Sequence, residues 1–245
     1  MRTYGLIGYP LTHSFSQQYF TKKFIELSIN DAEYFTFSIP SIDDLNEVIA
    51  THPNLCGLNI TIPYKKKVLT FLTHADETVT ELGACNCIHI KNGQFLGYNT
   101  DVIGFEKSLK PFLQPHHQKA LILGTGGAAA AVAYVLRKLN IEFQYVSREG
   151  GESNLSYEQL NADIINDHTL IVNTSPVGQY PNIKEAPALP YVSIGTQHHL
   201  FDLIYNPSET SFLQQGRSRG ATIQNGYEML VLQAEASWDI WNDIS

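Results

Sequence analysis

The sequence is poor in cysteine and in positive charge. Its three cysteines, Cys56, Cys85 and Cys87, form neither a disulfide framework nor a paired zinc knuckle, so we predict a cytoplasmic protein without a metal site. Lysine and arginine number 16 against 24 aspartates and glutamates, which gives a net charge of −8. Because a nucleic-acid backbone is bound by clustered cations, this balance argues against nucleic acid as a partner.

Long apolar runs are also lacking. The uncharged run Ala120–Leu136 is short for a membrane span and a glycine turn interrupts it, so we predict no membrane partner. The first residues lack the apolar length of a signal peptide. What the chain does have is 43% hydrophobic and 16% charged residues among 245, enough for a sizeable core in one large or two modest domains.

The segment Lys119–Arg148 has the pattern strand, glycine turn, helix, strand. Ala120–Leu123 and Glu142–Val146 are short strand-like runs, and Ala128–Leu139 is rich in helix formers. This order predicts a dinucleotide-binding βαβ unit, with the helix N-terminus directed at the phosphates. The alternative is a tight turn in a doubly wound sheet that binds nothing; the presence of both strands and the helix favours a nucleotide.

Each small residue of the turn has a physical role in that interpretation. Gly124 permits the tight turn out of the strand, and Gly126 lets the backbone approach a pyrophosphate. Ala129, in the position of the third glycine, is small enough for close packing of the helix on the strand.

The end of the second strand indicates which dinucleotide is bound. An acidic residue that would bind the ribose 2′-hydroxyl of NAD is missing there, and Arg148 follows Ser147. A guanidinium suits the 2′-phosphate of NADP, so we predict NADP rather than NAD. Glu149 would weaken that preference, and an ordinary surface arginine is the alternative for Arg148.

The first hundred residues alternate strand and helix as well. Runs at Thr3–Gly8, Ala32–Phe37 and Leu55–Ile62 predict a second, parallel α/β sheet. The predicted fold class is therefore α/β with two α/β domains, of which the N-terminal one is mostly parallel. Such domains usually leave a ligand cleft between them.

Polar residues mark the strand ends of this first sheet. Ser14 or Ser16 either caps the next helix or donates to a carboxylate, and spacing alone favours the cap. Asn59 and Thr61 share one face at the carboxyl end of a strand, where ligands of open α/β sheets bind. Lys65 follows the proline that ends this strand; it is either a functional amine or part of a solvated run of lysines.

Three later features complete the pattern. Asn92-Gly93 predicts a hairpin turn, after which Asp101 precedes a helix at Ile103–Leu113 as either its cap or a catalytic acid. Leu170–Asn173 and Leu200–Tyr205 predict further strands, and Tyr227–Ile244 a final helix. The pairs His116-His117 and His198-His199 have no metal-ligating neighbours in the sequence, and we interpret them as surface residues.

Together these motifs resemble those of the shikimate dehydrogenase family. They occur in the same order as in that family and extend over nearly the whole chain. The motifs are Ser14-Phe15-Ser16, Asn59-Ile60-Thr61-Ile62-Pro63-Tyr64-Lys65, Gly83-Ala84-Cys85-Asn86, Asn99-Thr100-Asp101, Gly124-Thr125-Gly126-Gly127-Ala128, and Gly226 with Met229–Ala234. The resemblance implies a substrate domain of residues 1–101 plus 227–245 and a Rossmann-type NADP domain of residues 102–226, the last helix returning to the first domain. It also implies reversible, NADPH-dependent reduction of 3-dehydroshikimate to shikimate by a monomer or homodimer.

The resemblance further implies roles for single residues. Lys65 and Asp101 would be the catalytic pair, and whether Lys65 or the pair as a unit takes the proton is open. The substrate would be bound by polar side chains: Ser14, Ser16, Asn59, Thr61, Asn86, Tyr205 and Gln233. The cofactor would be bound by Glu77, Gly124, Thr125, Gly126, Gly127, Ala128, Ser147, Arg148, Leu203 and Gly226.

The chain departs from the family pattern after the second strand of the cofactor domain, where Ser147-Arg148-Glu149 replaces Asn-Arg-Thr. This departure bears on the strength of the preference for NADP. Three alternative functions are open. One is a quinate/shikimate dehydrogenase with relaxed substrate or NAD use, and another is a non-catalytic NADP-binding regulator. The third is a one-carbon folate dehydrogenase, against which the serine pair Ser14 and Ser16 argues.

Overall fold

The computed structural model describes residues 1–11, 14–151 and 153–244, and the chain divides into two compact α/β units. The first unit contains Met1–Ile103 and Gln233–Ser245, and the second contains Gly104–Leu232. Along the described residues no helix is both long enough and apolar enough to cross a lipid bilayer.

The first unit is built on a six-stranded sheet with the strand order β2-β1-β3-β5-β6-β4. Its strands are β1 Arg2–Gly8, β2 Ala32–Ser38, β3 Leu55–Ile60, β4 His74–Ala75, β5 Cys87–Lys91 and β6 Gln94–Tyr98. Its helices are α1 Phe15–Glu26, α2 Leu45–Thr51 and α3 Glu77–Leu82, with short 3₁₀ helices at Ile42–Asp44 and Lys67–Phe71. Helix α4, Thr100–Leu109, begins in this unit, and helix α8, Tyr227–Trp241, ends in it.

This sheet is mostly parallel, as predicted, and a single strand, β5, is reversed. Strand β1 pairs in parallel with β2 and β3, but β5 runs antiparallel to β3 and β6. The reversal comes from the predicted hairpin turn, in which Asn92 and Gly93 both have positive φ, 52° and 75°. Two residues of positive φ form the tight turn whose twist matches that of antiparallel strands.

Two apolar clusters cover this sheet. One is aromatic and joins Phe20 and Phe24 of α1 to Trp238 and Trp241 of α8 around Tyr4. The other includes Leu45 and Val48 of α2 with strand residues such as Leu58. Burial on both sides explains why the first strands are apolar along most of their length.

The second unit has a wholly parallel six-stranded sheet in the order β12-β11-β10-β7-β8-β9. Its strands are β7 Lys119–Leu123, β8 Glu142–Ser147, β9 Asn154–Ser156, β10 Leu170–Asn173, β11 His199–Asp202 and β12 Thr222–Gln224. Its helices are α5 Gly127–Lys138, α6 Ala162–Asp167 and α7 Ser211–Arg217, with 3₁₀ helices at Lys110–Phe112, Tyr157–Gln159 and Tyr191–Ser193. This is the doubly wound architecture expected for dinucleotide binding.

Helix borders differ modestly from those predicted. The helix expected at Ile103–Leu113 begins at Thr100 and ends at Leu109, where Pro111 follows within a 3₁₀ turn. The final helix ends at Trp241. The earlier start of α4 matters for the site, because it places Asp101 in the first helical turn.

Candidate active site

Lys65 and Asp101 form an ion pair within the first unit. The Lys65 Nζ atom lies 2.6 Å from the Asp101 Oδ2 atom. The Lys65 side chain is 30% exposed and that of Asp101 is 19% exposed, so the pair is partly shielded from water but still reachable. An ammonium and a carboxylate at this distance can share or pass on a proton.

The position of Lys65 is fixed by its neighbours in the chain. Tyr64 is buried and donates a hydrogen bond from its hydroxyl to the Ile39 carbonyl at 2.6 Å. The Lys65 carbonyl accepts a hydrogen bond from the Cys85 backbone N–H at 2.8 Å. The backbone at residue 65 is thus held on both sides, while Lys66 and Lys67 are exposed, as the solvated-run interpretation predicted for them.

Asp101 does not cap α4. The capping acceptor is Asn99, whose Oδ1 atom accepts from the Val102 backbone N–H at 3.4 Å and whose Nδ2 atom donates to the Ala84 carbonyl at 2.9 Å. Asp101 lies in the first turn instead, where the positive end of the helix dipole favours a carboxylate. The sequence left open whether Asp101 is a helix cap or a catalytic acid. Because Asn99 is the cap, the first of these two roles is removed, and the catalytic role stays a prediction.

Ser14 is the N-cap of α1, as its spacing indicated. Its Oγ atom accepts from the Gln17 backbone N–H at 3.1 Å. Capping uses Ser14 as an acceptor, so the hydroxyl proton remains available to a ligand. Ser16 is the second residue of the same helix and is half-buried, while Thr12 and His13, which precede this pair, are outside the described residues.

Three of the predicted substrate residues lie together at the carboxyl end of β3. Asn59 is 4% exposed and Asn86 is 3% exposed, and the Asn59 Nδ2 atom lies 3.5 Å from the Asn86 carbonyl oxygen. The Gln233 Oε1 atom lies 3.5 Å from the Thr100 Oγ1 atom, next to Asp101. Thr61 follows Asn59 on the same face and is half-buried, with its backbone N–H bonded to the Ile7 carbonyl.

Sequence reasoning missed three side chains that connect this group. Tyr34, Thr100 and Ser237 are buried and hydrogen-bonded to the predicted residues. Ser237 follows Gln233 by one helical turn, and Thr100 lies within the Asn99-Thr100-Asp101 motif. Spacing in the sequence could have placed both of these near the site, but Tyr34 carried no such signal.

The glycine turn after β7 has the conformation that the sequence predicted. Gly124 has a φ of 115°, and a Cβ atom there would lie 2.8 Å from Thr174 Oγ1. Gly126 precedes the first turn of α5, and Cβ atoms built at Gly126 and Gly127 meet no atom within 4 Å. Ala129 is 1% exposed against the sheet.

This turn therefore fits a dinucleotide phosphate. Residues Thr125, Gly126, Gly127 and Ala128 are exposed, and Gly126 offers no side chain to cap the first N–H groups of α5. Such N–H groups at a helix N-terminus bind anions. Ser147 ends the neighbouring strand β8, and Arg148 and Glu149, which follow it directly, are exposed.

Leu203 and Gly226, both predicted to bind the cofactor, lie against each other. A Cβ atom on Gly226 would lie 2.1 Å from the Leu203 carbonyl oxygen, so only glycine fits. Tyr205 follows two residues after Leu203, beyond β11, and is 39% exposed. Glu77 is the exposed first residue of α3 in the other unit, and its role and that of Tyr205 stay predictions.

A buried carboxylate organises the loops at this edge of the second sheet. Asp202 accepts hydrogen bonds from Thr210 Oγ1 at 2.6 Å, Asn173 Nδ2 at 3.0 Å and the Ile204 backbone N–H at 3.1 Å. Burial raises the pKa of Asp202 to about 6, an effect that these three donors oppose. The network ties the loops after β10 and β11 together beside the glycine turn.

The interpretation of the histidine pairs as surface residues was wrong for three of the four. His117, His198 and His199 are buried, and only His116 is exposed. Each buried ring finds polar partners; His198 Nδ1, for example, accepts from the Gly195 backbone N–H at 3.0 Å. Among the described residues no three His, Cys, Asp or Glu side chains are grouped as metal ligands.

The chain is similar in sequence to known proteins. Residues 6–88 match the family model described as the shikimate dehydrogenase substrate binding domain. The chain is 38% identical to a shikimate dehydrogenase (NADP(+)) of Methanococcus maripaludis, over 98% of this chain and 91% of that protein. The chain belongs to the shikimate dehydrogenase family.

Solved structures agree with this membership of the shikimate dehydrogenase family. A chorismate mutase/shikimate 5-dehydrogenase fusion protein from Clostridium acetobutylicum is 35% identical, with a TM-score of 0.87 over 100% of this chain and 92% of that chain. Shikimate 5-dehydrogenase from Thermus thermophilus, in complex with NADP(H) and shikimate, is 26% identical with a TM-score of 0.86, over 99% and 94% of the two chains. The fold predicted from the sequence, two α/β domains of which one is Rossmann-type, is confirmed.

Proposed function

We propose that this chain catalyses the reversible, NADPH-dependent reduction of 3-dehydroshikimate to shikimate, a step of chorismate and aromatic amino-acid biosynthesis. The observation that carries the proposal is the ion pair of Lys65 and Asp101 in a member of the shikimate dehydrogenase family. A non-catalytic NADP-binding regulator has no need of a proton donor and acceptor held at 2.6 Å beside a group of buried polar side chains.

Lys65 is the proposed proton donor in the reductive direction. Reduction of a ketone builds negative charge on its oxygen, which a nearby ammonium stabilises and then protonates. In the oxidative direction, the same amine, or the Lys65–Asp101 pair acting as one unit, accepts the alcohol proton. Asp101 keeps the ammonium in place and stabilises its charge.

The other predicted residues of the first unit bind and orient the substrate. Ser14 and Ser16, at the start of α1, donate their hydroxyl protons to the substrate carboxylate at the positive end of the helix dipole. Thr61, Asn86 and Gln233 bind ring hydroxyls. Tyr205 is likewise proposed to bind the substrate.

The second unit is proposed to hold the cofactor. The turn Gly124–Ala128 and the first N–H groups of α5 bind the pyrophosphate, and Ser147 with Arg148 binds the 2′-phosphate. Leu203 and Gly226 are proposed to bind the cofactor as well, with Glu77 near the nicotinamide. Bound NADPH supplies the hydride, and the protein supplies position and the proton.

Three further assignments belong to this proposal. The substrate domain consists of residues 1–101 plus 227–245, and the NADP domain of residues 102–226. The protein acts in the cytoplasm as a monomer or homodimer, on small molecules and without nucleic-acid or membrane partners.

The deciding experiment follows NADPH absorbance during oxidation of shikimate and of quinate, each with NADP and with NAD. We expect turnover to be fastest with shikimate and NADP. Faster turnover with quinate or NAD would replace the proposal with the broader quinate/shikimate activity. NADP binding without turnover of either substrate would support the non-catalytic regulator.

A further inference from the structure

Asn59 is predicted to bind substrate, yet its side chain is fully engaged within the protein. It is 4% exposed on β3. Its Oδ1 atom accepts from the Tyr34 hydroxyl at 2.8 Å, and its Nδ2 atom donates to Ser237 Oγ at 2.9 Å and lies 3.5 Å from the Asn86 carbonyl. These contacts use the oxygen and both amide hydrogens, which leaves no donor for a substrate hydroxyl.

The hydrogen bonds continue from Ser237 to Asn86 in a defined direction. Ser237 has a single hydroxyl proton, which it donates to the Gln233 carbonyl at 2.9 Å. In the 3.2 Å contact between the Thr100 hydroxyl and Ser237 Oγ, Thr100 is therefore the donor. The same hydroxyl also lies 3.2 Å from the Asn86 Oδ1 atom. The Thr100 oxygen is then left to accept from Asn86 Nδ2 at 3.0 Å.

The amide of Asn86 is thereby held in one orientation. Its Oδ1 atom accepts from the Thr100 backbone N–H at 2.6 Å, a contact in which the backbone can only donate. Its Nδ2 atom faces the Thr100 hydroxyl. Both ends of the amide are assigned by Thr100, and the Thr100 hydroxyl is in turn oriented by Ser237.

The other end of this chain is equally constrained. Tyr34 is buried and stacks on Phe20 with ring centroids 4.7 Å apart. Burial raises the pKa of Tyr34 well above its ordinary value, against the opposing hydrogen bond of Ser16. Tyr34 therefore stays a neutral donor, which directs the Asn59 oxygen towards it and the Asn59 amide nitrogen towards Ser237.

We infer that Asn59 is a positioning residue, which acts through Ser237 and Thr100 to orient Asn86 for the substrate and does not itself touch the substrate. This inference rests on the proposed function, because it assigns how that site is held. An unpaired polar group in such a buried chain is costly, so loss of one member is transmitted to its neighbours.

The test is the variant Ser237→Ala, which removes the oxygen that accepts from Asn59 and Thr100. We expect the KM for shikimate to rise about fivefold, the effect of one lost or misdirected hydrogen bond, while the KM for NADP and kcat stay within about twofold. Ser108→Ala is the matched control: Ser108 is also a buried helical serine, and its hydroxyl donates to the Phe105 carbonyl of its own helix. The control should leave the KM for shikimate unchanged.

A double-mutant cycle separates positioning from direct contact. If Ser237 acts through Asn86, the fivefold effect of Ser237→Ala disappears in the Asn86→Ala background. If Ser237→Ala fails to fold, Tyr34→Phe replaces it, because this change keeps the ring and removes only the hydroxyl that donates to Asn59. Its effect on the KM for shikimate should likewise disappear in the Asn86→Ala background. The inference would be overturned if Ser237→Ala and Tyr34→Phe each raised the KM for shikimate by the same factor with and without Asn86→Ala.

Failure of the proposed function gives a different result. Wild-type oxidation of shikimate with NADP is measured first, and its absence would overturn the proposed function together with this inference. Normal wild-type turnover with an unchanged KM in Ser237→Ala and Tyr34→Phe would overturn this inference alone.

Discussion

Lys65 and Asp101 lie 36 positions apart in the chain, yet the Lys65 Nζ and Asp101 Oδ2 atoms are 2.6 Å apart. Each residue is held by different neighbours, Lys65 through Tyr64 and Cys85 and Asp101 through the α4 cap at Asn99. The pair is therefore a product of the tertiary fold of the first unit. A surface ion pair would contribute little to stability, so its value lies in the chemistry that the two groups can perform.

Replacement of Lys65 tests this chemistry directly. Lys65→Ala should lower kcat for shikimate oxidation by about 10²–10⁴-fold, because the proton acceptor is lost. NADPH binding, followed by its fluorescence, should be retained. Lys66→Ala is the control, since Lys66 is an exposed neighbour of the same type and should leave kcat unchanged. Near-normal turnover by Lys65→Ala would remove the basis of the proposed mechanism.

The stability of the second unit should fall in acid because of His199. Burial lowers the pKa of His199 to about 4 from 6.5, although a hydrogen bond to Gln224 opposes this effect. The folded pKa is below the unfolded one, so the contribution to stability is complete above pH 6.5 and is lost as the pH falls towards 4. At ~1.4 kcal/mol per pH unit, the interval between these two pKa values gives a loss of stability on the order of 3 kcal/mol.

The measurement is the unfolding midpoint of wild type and His199→Gln between pH 7.5 and pH 4. The substitution can change stability at neutral pH as well, so the quantity compared is the slope of stability against pH. The stability of His199→Gln should decline less steeply with falling pH than that of the wild type. His117 should retain part of the slope, because burial lowers its pKa as well. His74→Gln, a change at an exposed histidine of β4, should keep the full slope. Equal slopes in all three proteins would contradict the prediction.

Gly226 should not tolerate a side chain. A Cβ atom there would lie 2.1 Å from the Leu203 carbonyl oxygen, and a backbone atom cannot move aside as a side chain can. Gly226→Ala should therefore lower the free energy of unfolding by about 1–3 kcal/mol. Gly195→Ala, where a Cβ atom meets nothing within 4 Å, should change it by less than about 0.5 kcal/mol. Denaturant unfolding measures the stability of both variants. Similar stabilities would contradict the prediction and would show that the backbone at Leu203 can move away from the added side chain.

The fold was predictable where local patterns were long. The unit from β7 to β8 and the Asn92-Gly93 hairpin followed from glycine positions and apolar runs. Strands β4, β9 and β12 are only two or three residues long and carry too little periodicity to be recognised. The buried histidines were missed because partners such as the Ile165 carbonyl oxygen, 3.0 Å from His198 Nε2, come from tertiary structure.

The residues of the candidate site were predictable from the sequence, but the hydrogen bonds that connect them were less so. Lys65 and Asp101 followed from the resemblance to a family, and the structure shows that their charged groups meet. Asn59 was assigned to the substrate because a polar residue at a strand end is usually functional. Its engagement by Tyr34 and Ser237 depends on the tertiary fold, which brings side chains of β2, on the far side of β1, and of α8 to β3. No spacing within one segment reveals this.

Arg148 and Glu149 should have opposite effects on cofactor choice. Both are exposed at the end of β8, beside the glycine turn that precedes α5. A guanidinium there attracts the 2′-phosphate of NADP, whereas the neighbouring carboxylate repels it. Arg148→Ala should raise the KM for NADP about tenfold, equivalent to ~1.4 kcal/mol, and leave that for NAD nearly unchanged.

Glu149→Ala completes the comparison. Removal of the Glu149 carboxylate should lower the KM for NADP about two- to threefold. Increasing salt should reduce this effect, because exposed charges are screened. The KM for NAD, which lacks the phosphate, should not respond. Initial rates with each cofactor at saturating shikimate measure both effects. If Arg148→Ala weakened NADP and NAD equally, Arg148 would contact a part that the two cofactors share, and the preference for NADP would have to come from elsewhere in the second unit.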